Sequence, residues 1–229
     1  MSSIQNADYT REQLRAESGE PIRFGNITLG KYRHVCAFFH SSDEEYRSVL
    51  PFIKEAFDRG EKVFYVGDSE LREEHGQRLK SAGIDAPAAE QRGQLEQRNW
   101  QETYLREGRF EPDTMLTSLR ELFEQGRQQG FPLTRVVGHA EWASEGWPGV
   151  DDFVEYEAKL NYMQIRHPDP IVCLYDLSKC GGALIVEAMR THPAVIIGSV
   201  LQENPFFVPP DEFLRELQGR KAGGKIAQA

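Results

Sequence analysis

The sequence predicts an α/β protein of three layers, with a mostly parallel central sheet covered on both faces by helices. Strand-like and helix-like segments alternate from about residue 34 to residue 190, and two short strand-like segments then close the pattern as a β-hairpin. No internal repeat or low-complexity linker interrupts this alternation. We therefore expect one domain over residues 21–217, between a flexible arm (1–20) and a disordered tail (218–229).

The first strand is predicted at residues 34–39, and an amphipathic helix follows it after a short turn. Ser42 and Glu45 have the spacing of a capping box, so the helix is expected to begin there. Pro51 predicts a kink or a local break inside this helix, and Gly60 predicts its end.

The remaining elements continue the same alternation. The predicted strands are 62–66, 94–98 (the weakest), 134–138 and 171–175. The predicted helices lie near 69–82, from 113 onward, at about 150–165 and near 182–190. The closing hairpin is expected from 194–198 and 200–202.

The turn after the first strand lacks a phosphate-binding loop. It reads His40-Ser41-Ser42-Asp43-Glu44-Glu45, without the glycines and the lysine that hold phosphates in G-x-x-x-x-G-K-[S/T]. Carboxylates in the first turn of a helix favour the helix dipole, but they repel an anion at the same place. The sequence therefore excludes nucleotide binding in the P-loop manner, and it predicts no cofactor.

The net charge of −9 argues against direct nucleic-acid binding, because a negative surface repels the phosphate backbone. The N-terminus has no apolar core of a secretory signal, and no segment approaches the length of a membrane span. A cytoplasmic protein without membrane contact is expected. Its three cysteines are then expected to be reduced thiols.

Several polar and aromatic residues lie in or just after the predicted strands. Ligands in open α/β sheets bind beyond the carboxyl ends of the strands, so these residues predict an aromatic-walled small-molecule pocket. The candidate ligand-binding residues are His34, Cys36, His40, His139, Glu141, Trp142, Cys173, Tyr175 and Asp176. Each has a purely structural alternative: a strand cysteine as a small hydrophobic residue, a tryptophan as core cover, and a histidine or carboxylate as a surface group.

The chain resembles the MEDS domain, the DcmR-like sensory domain of methanogens and methylotrophs. The similar segments span most of the chain in order: 34–39, 51–53, 59–62, 102–105, 108–110, 141–143, 156–161, 173–176, 190–193 and 203–210. The resemblance implies a RecA/KaiC-like fold that has lost its ATPase motifs. It also implies that the strand carrying Cys173 lies beside the first strand, with Cys36 on the neighbouring strand and Glu141 nearby.

The same resemblance implies a sensory function without catalysis. Such domains are thought to bind small molecules, hydrocarbon derivatives among them, and are often joined to an output domain. Neither residues 1–20 nor residues 218–229 could form one. We therefore expect output through a signalling partner protein, or through self-association as a homodimer, in transcriptional or two-component-type regulation.

Three other functions remain open from the residues. A metal or thiol-redox sensor could use Cys36, Cys173 and His34, with His139 as a further ligand. An enzyme of unfamiliar type could use Cys36 as nucleophile with Glu141 or Asp176 as general acid or base, which requires a lowered thiol pKa. A scaffold without any ligand is the last alternative.

Overall fold

The computed structural model describes residues 21–24, 27–30, 32–198 and 200–226. Its strands are β1 (Ile22–Phe24), β2 (Ile27–Leu29), β3 (His34–Phe39), β4 (Lys62–Gly67), β5 (Leu95–Asn99), β6 (Thr134–His139), β7 (Ile171–Asp176), β8 (Ala194–Ile197) and β9 (Val200–Glu203). Its α-helices are α1 (Ser42–Asp58), α2 (Arg72–Ser81), α3 (Ala86–Gln91), α4 (Trp100–Tyr104), α5 (Pro112–Gln128), α6 (Phe153–Met163), α7 (Gly182–Thr191) and α8 (Pro210–Ile226). Short 3₁₀ turns lie at Ser69–Leu71, Glu141–Ser144 and Val150–Asp152.

The central sheet has seven strands in the order β5-β4-β6-β7-β3-β8-β9. All neighbouring pairs are parallel except β8 and β9, which form the predicted antiparallel hairpin. The first strand therefore lies beside the strand of Cys173, with Cys36 and Cys173 directly in register. The predicted three-layer α/β fold and this strand neighbourhood are confirmed.

Two hydrophobic cores cover the two faces of the sheet, as expected for parallel strands that are buried throughout. One core lies under α1 and α2 and includes Val35, Val137 and Leu174. The other lies under α5 and α6 and includes Phe123 and Leu160. Because side chains alternate along a strand, Cys36 and Cys173 face this second core.

Helix α1 begins one residue earlier than the capping-box spacing predicted. The cap is Ser41, whose side chain accepts a hydrogen bond from the Glu44 backbone N–H at 3.3 Å, while the Glu44 carboxylate accepts from the His40 N–H at 2.9 Å. Ser42 is free of this role, and its hydroxyl donates to Glu74. The predicted break at Pro51 is wrong, since α1 is one helix from Ser42 to Asp58.

Some elements were not predicted from the sequence. They are the short hairpin of β1 and β2 and the small helices α3 and α4. The expected disordered tail is wrong for residues 218–226, which continue α8. Phe213 anchors this helix in a small core with Ala158, and the Arg220 guanidinium pairs with Glu187 near its end. Residues 1–20 and 227–229 lie outside the described part of the chain.

Among the helices of the described residues, none has the length and apolar composition needed to cross a bilayer.

Candidate functional site

A buried group of polar side chains lies between the sheet and helices α6 and α7. We call it the central cluster; its members are His34, Glu157, Asn161, Cys173 and His192. Strands β3 and β7 supply the first histidine and the cysteine, α6 supplies the glutamate and the asparagine one turn apart, and the second histidine follows α7. The cluster therefore joins the centre of the sheet to both helices.

The Glu157 carboxylate is the centre of this cluster. Its Oε2 lies 3.1 Å from His34 Nε2 and 3.1 Å from His192 Nε2. The Cys173 thiol lies 3.6 Å from this oxygen and 3.6 Å from His34 Nε2. One donor atom from each of these four residues lies within 4.8 Å of the other three.

Hydrogen bonds on the side away from Glu157 orient both imidazole rings. His34 Nδ1 faces Asn161 Oδ1 at 3.2 Å, and His192 Nδ1 faces the Ala188 carbonyl at 2.8 Å. The Asn161 amide is itself oriented, because its Nδ2 donates to the carbonyls of Thr191 and Ala158 at 2.8 and 3.1 Å. Both rings therefore direct Nε2 towards Glu157.

Burial and the neighbouring charges separate the pKa values in this cluster. Burial, assisted by the nearby His192, lowers the pKa of His34 from 6.5 to about 4. Burial alone would raise the pKa of Glu157, but interactions with His192 and His34 outweigh it and lower that pKa to about 2. The carboxylate is thus ionised at neutral pH.

A small, largely enclosed cavity of about 20 Å³ lies against the central cluster. Glu157 and Cys173 form part of its wall, and the aromatic rings of Phe64, Tyr104 and Phe153 form much of the rest. A cavity of this size holds about one water molecule. Its walls combine a few polar groups with many apolar ones, which is the composition of a small-molecule site.

A second group of buried and half-buried polar side chains lies at the C-terminal end of β6, on the α1 side of the sheet. We call it the strand-end cluster; its members are Glu45, Tyr65, His75, His139 and Glu141. His139 Nδ1 lies 3.1 Å from Glu141 Oε1, and its Nε2 lies 2.8 Å from the Tyr65 hydroxyl and 3.4 Å from Glu45 Oε1. Glu45 belongs to the first turn of α1. This carboxylate of the acidic turn therefore pairs with the imidazole of His139.

The two carboxylates control the charge of His139. Burial alone would lower the pKa of His139, but Glu141 and Glu45 outweigh it and hold this pKa well above 6.5. The pKa of Glu141 is lowered in turn, against the effect of its own burial, by the His139 charge. His75 behaves in the opposite way: burial and the nearby His139 lower its pKa to about 3, while its ring stacks on Tyr65 at 3.8 Å.

The structure does not bring the nine predicted site residues into one pocket at the strand ends. His34 begins β3, whereas His139 ends β6, and six residues of a strand span about 16 Å. His34 and Cys173 belong to the central cluster, and His139 and Glu141 to the strand-end cluster. Cys36 lies beside Cys173 but donates to the Ala194 carbonyl at 3.7 Å, so it does not join the predicted histidine and cysteine set.

The other predicted residues take different places. Trp142 is buried in an aromatic group and stacks on Tyr104 with ring centroids 4.8 Å apart. Tyr175 is buried beside Phe38. His40 is exposed in the turn after β3, and Asp176 accepts hydrogen bonds from Ser178 in the turn after β7.

Sequence reasoning missed Glu157, Asn161 and His192 as site residues. A signal was present, because Glu157 and Asn161 are polar residues four apart on the buried face of α6. Two buried polar residues at this spacing need partners, and those partners are the histidines.

The cysteines do not have the properties of nucleophiles. Burial is the main cause that raises the pKa of the Cys36 and Cys173 thiols well above 9 and that of Cys180 to about 12. A catalytic cysteine needs the opposite shift and an exposed thiol.

The geometry defines a RecA-type α/β domain without a P-loop and with two buried histidine–carboxylate clusters. Its fold is similar to that of a KaiC-like protein from the hyperthermophilic archaeon Pyrococcus horikoshii OT3, at a TM-score of 0.50 and 13% sequence identity, covering 72% of this chain and 70% of that chain. No curated protein matches the sequence significantly.

The chain belongs to the MEDS family, the MEthanogen/methylotroph, DcmR Sensory domain, whose family model matches residues 33–193. Both clusters lie within this span. The family assignment supports a role in sensing and signalling.

Proposed function

We propose that this chain senses a small, mostly apolar molecule without hydrolysing nucleotide, and that the ligand enters the small cavity beside the central cluster. The observation that carries the proposal is the cavity itself. Phe64, Phe153 and other aromatic rings surround it, while Glu157 and Cys173 offer one polar side. A hydrocarbon derivative with a single polar group matches these walls.

The size of the cavity determines how a signal would arise. At about 20 Å³ it is too small for most organic ligands. A ligand therefore binds only if α5 and α6 move away from the sheet, and it stabilises that expanded conformation. A ligand can shift the equilibrium only by its differential affinity for the two conformations.

The absence of ATPase activity is part of the same proposal. The first turn of α1 carries Asp43, Glu44 and Glu45 where a P-loop enzyme presents amides and a lysine. We also propose a cytoplasmic location, which the three free thiols favour, and an output through a partner protein or a homodimer rather than through DNA. The negative net charge supports the last point.

The test uses the series of alcohols from methanol to butan-1-ol with the full chain. Met115 lines the cavity, so the NMR signal of its methyl group should shift in a saturable way with the best-fitting alcohol. Leu119→Phe places a larger side chain in the same cavity and should weaken binding about tenfold or more. Leu116→Phe, on the same helix but outside the cavity lining, is the matched control and should bind as the wild type does.

Two results would overturn the proposal. One is the absence of a saturable shift with every alcohol, and the other is equal binding by the wild type and Leu119→Phe. Mg²⁺-dependent binding of ATP, followed by the backbone amide signals of residues 41–45, would contradict the claim that the domain does not use nucleotide.

A further inference from the structure

The central cluster has too many acceptors for neutral histidines. A neutral imidazole has one N–H, yet the His34 ring faces Asn161 Oδ1 on one side and the Glu157 carboxylate on the other. His192 likewise lies between the Ala188 carbonyl and the same carboxylate. When Nδ1 of a neutral ring donates its proton to the outer acceptor, a bare Nε2 lone pair faces the carboxylate oxygen.

A positive charge between the two rings and the carboxylate removes this conflict. Two extra protons would make both rings cationic, but their centroids are only 4.0 Å apart in a fully buried place. Like charges at that separation repel strongly where water cannot screen them. One divalent cation supplies the same charge to both Nε2 atoms at once. With an ionised carboxylate and a thiolate as further ligands, the site would be electrically neutral.

Four of the six distances between the ligand atoms match the edges of a metal-centred tetrahedron, and all six lie within 4.8 Å. Zn–N and Zn–O bonds of about 2.0–2.1 Å and a Zn–S bond of about 2.3 Å give tetrahedral edges of about 3.3 Å between N and O and about 3.6 Å to sulfur. The observed N–O separations are 3.1 Å, and Cys173 Sγ lies 3.6 Å from both His34 Nε2 and Glu157 Oε2. The outer hydrogen bonds to Asn161 and Ala188 are those that orient histidine ligands in metal sites.

We propose that the central cluster binds a divalent transition-metal ion of the Zn²⁺ type. Its four ligands are His34, Glu157, Cys173 and His192. Thiolate, imidazole and carboxylate are the ligands that Zn²⁺ takes in closed tetrahedral sites. The site goes beyond the proposed small-molecule function and stands whether or not the cavity binds an organic ligand.

The test replaces the ion with Co²⁺, whose thiolate complexes absorb strongly in the near ultraviolet. Because the site is closed, the full chain is produced in minimal medium containing Co²⁺, so that the ion enters during folding. We expect about one equivalent of cobalt per chain by elemental analysis, together with the thiolate-to-cobalt band and the visible bands of tetrahedral Co²⁺. Growth with Zn²⁺ should give about one equivalent of zinc and no such bands.

Cys173→Ser and Cys36→Ser form a matched pair, because the two thiols lie in register on neighbouring strands. Cys173→Ser should lose the charge-transfer band, and Cys36→Ser should keep it, with circular dichroism establishing that each variant is folded. Folded wild-type protein without cobalt or zinc, or a band that survives in Cys173→Ser, overturns the proposal. A metal-free wild type that still binds an alcohol would reject the metal site alone, and a metal-loaded protein without any alcohol response would reject the small-molecule function alone.

Discussion

The two clusters arrange carboxylates and imidazoles in opposite ways around a central group. In the strand-end cluster one imidazole, that of His139, lies between two carboxylates, those of Glu45 and Glu141. In the central cluster one carboxylate, that of Glu157, lies between two imidazoles. The first arrangement is satisfied by a single proton on the histidine, since a protonated ring has two N–H groups. The second is not, because each ring would need an additional proton.

This difference shows that burial determines the pKa of a histidine only where neighbouring carboxylates do not outweigh it. Both His139 and His34 are buried, yet the pKa of His139 is raised and that of His34 is lowered to about 4. The two flanking carboxylates hold the proton of His139. In the central cluster two imidazoles face a single carboxylate, so nitrogen lone pairs are left over. Such lone pairs are what a metal ion requires.

The largest effect is expected from neutralising the single carboxylate of the central cluster. Glu157→Gln should lower the free energy of unfolding by about 3 kcal/mol, because it removes the common partner of His34 and His192. Urea denaturation at neutral pH measures this. Glu155→Gln, on the same helix but in a partly exposed pair with Lys159, should cost about 0.5 kcal/mol. Equal costs for the two variants would show that the cluster does not depend on its carboxylate.

The pH dependence of stability separates the two kinds of histidine. The pKa values of His34 and His75 are lowered from 6.5 to about 4 and about 3, so their stabilising contribution is complete above pH 6.5 and is lost as the pH falls through those values. Between its folded and unfolded pKa values, each histidine contributes a slope of about 1.4 kcal/mol per pH unit to the free energy of unfolding. His139 has a raised pKa and is protonated in both the folded and the unfolded state well below pH 6.5, so it adds no slope there.

His75→Phe tests this assignment, because phenylalanine can keep the stacking on Tyr65. Its free energy of unfolding, measured between pH 6 and pH 4, should fall less steeply than that of the wild type, by about 1.4 kcal/mol per pH unit. Parallel curves for the two proteins would mean that His75 is protonated in the folded state.

Gly138, which lies on β6 between the two clusters, should tolerate little change. A Cβ atom at Gly138 would lie 2.7 Å from the Tyr104 hydroxyl, so Gly138→Ala should destabilise the protein by about 1–2 kcal/mol. Tyr104→Phe removes that oxygen, and the double variant should recover most of the loss in a double-mutant cycle. If the costs of the two single substitutions simply add, the destabilisation does not come from a clash with the Tyr104 hydroxyl.

The smallest effect is expected in the strand-end cluster. Glu45→Gln should cost about 1 kcal/mol or less, because Glu141 still pairs with His139. The pKa of His139, followed by NMR, should fall, since Glu45 is one of the two groups that raise it. If Glu45→Gln lowered the free energy of unfolding as much as Glu157→Gln does, the two clusters would not differ in how much they depend on one carboxylate.

Much of the fold could be predicted because it depends on local patterns. The alternation of strands and helices, the acidic first turn of α1 and the closing hairpin all follow from periodicity and residue type. Two details of the fold were predicted wrongly. Ser41 rather than Ser42 caps α1, and α8 continues past residue 217 because tertiary contacts stabilise it. The spacing of residues along the chain gives no information about those tertiary contacts.

The candidate site was less predictable, because its members come from four separate segments. Helical residues such as Glu157 acquire their role only when α6 packs over the centre of the sheet. His34 and Cys173 were correctly predicted to lie on neighbouring strands, but the site that they share lies towards the N-terminal ends of these strands rather than beyond their carboxyl ends.

The position of α8 couples the central cluster to the surface. Phe213 of this helix packs on Ala158, the residue next to Glu157, while its Arg220 pairs with Glu187 of α7 and its Lys221 with Asp152 just before α6. One exposed helix therefore straddles both helices that frame the cluster. If α6 moves away from the sheet, α8 must tilt with it or release α7, so a conformational change at the central cluster would alter the exposed surface of the domain.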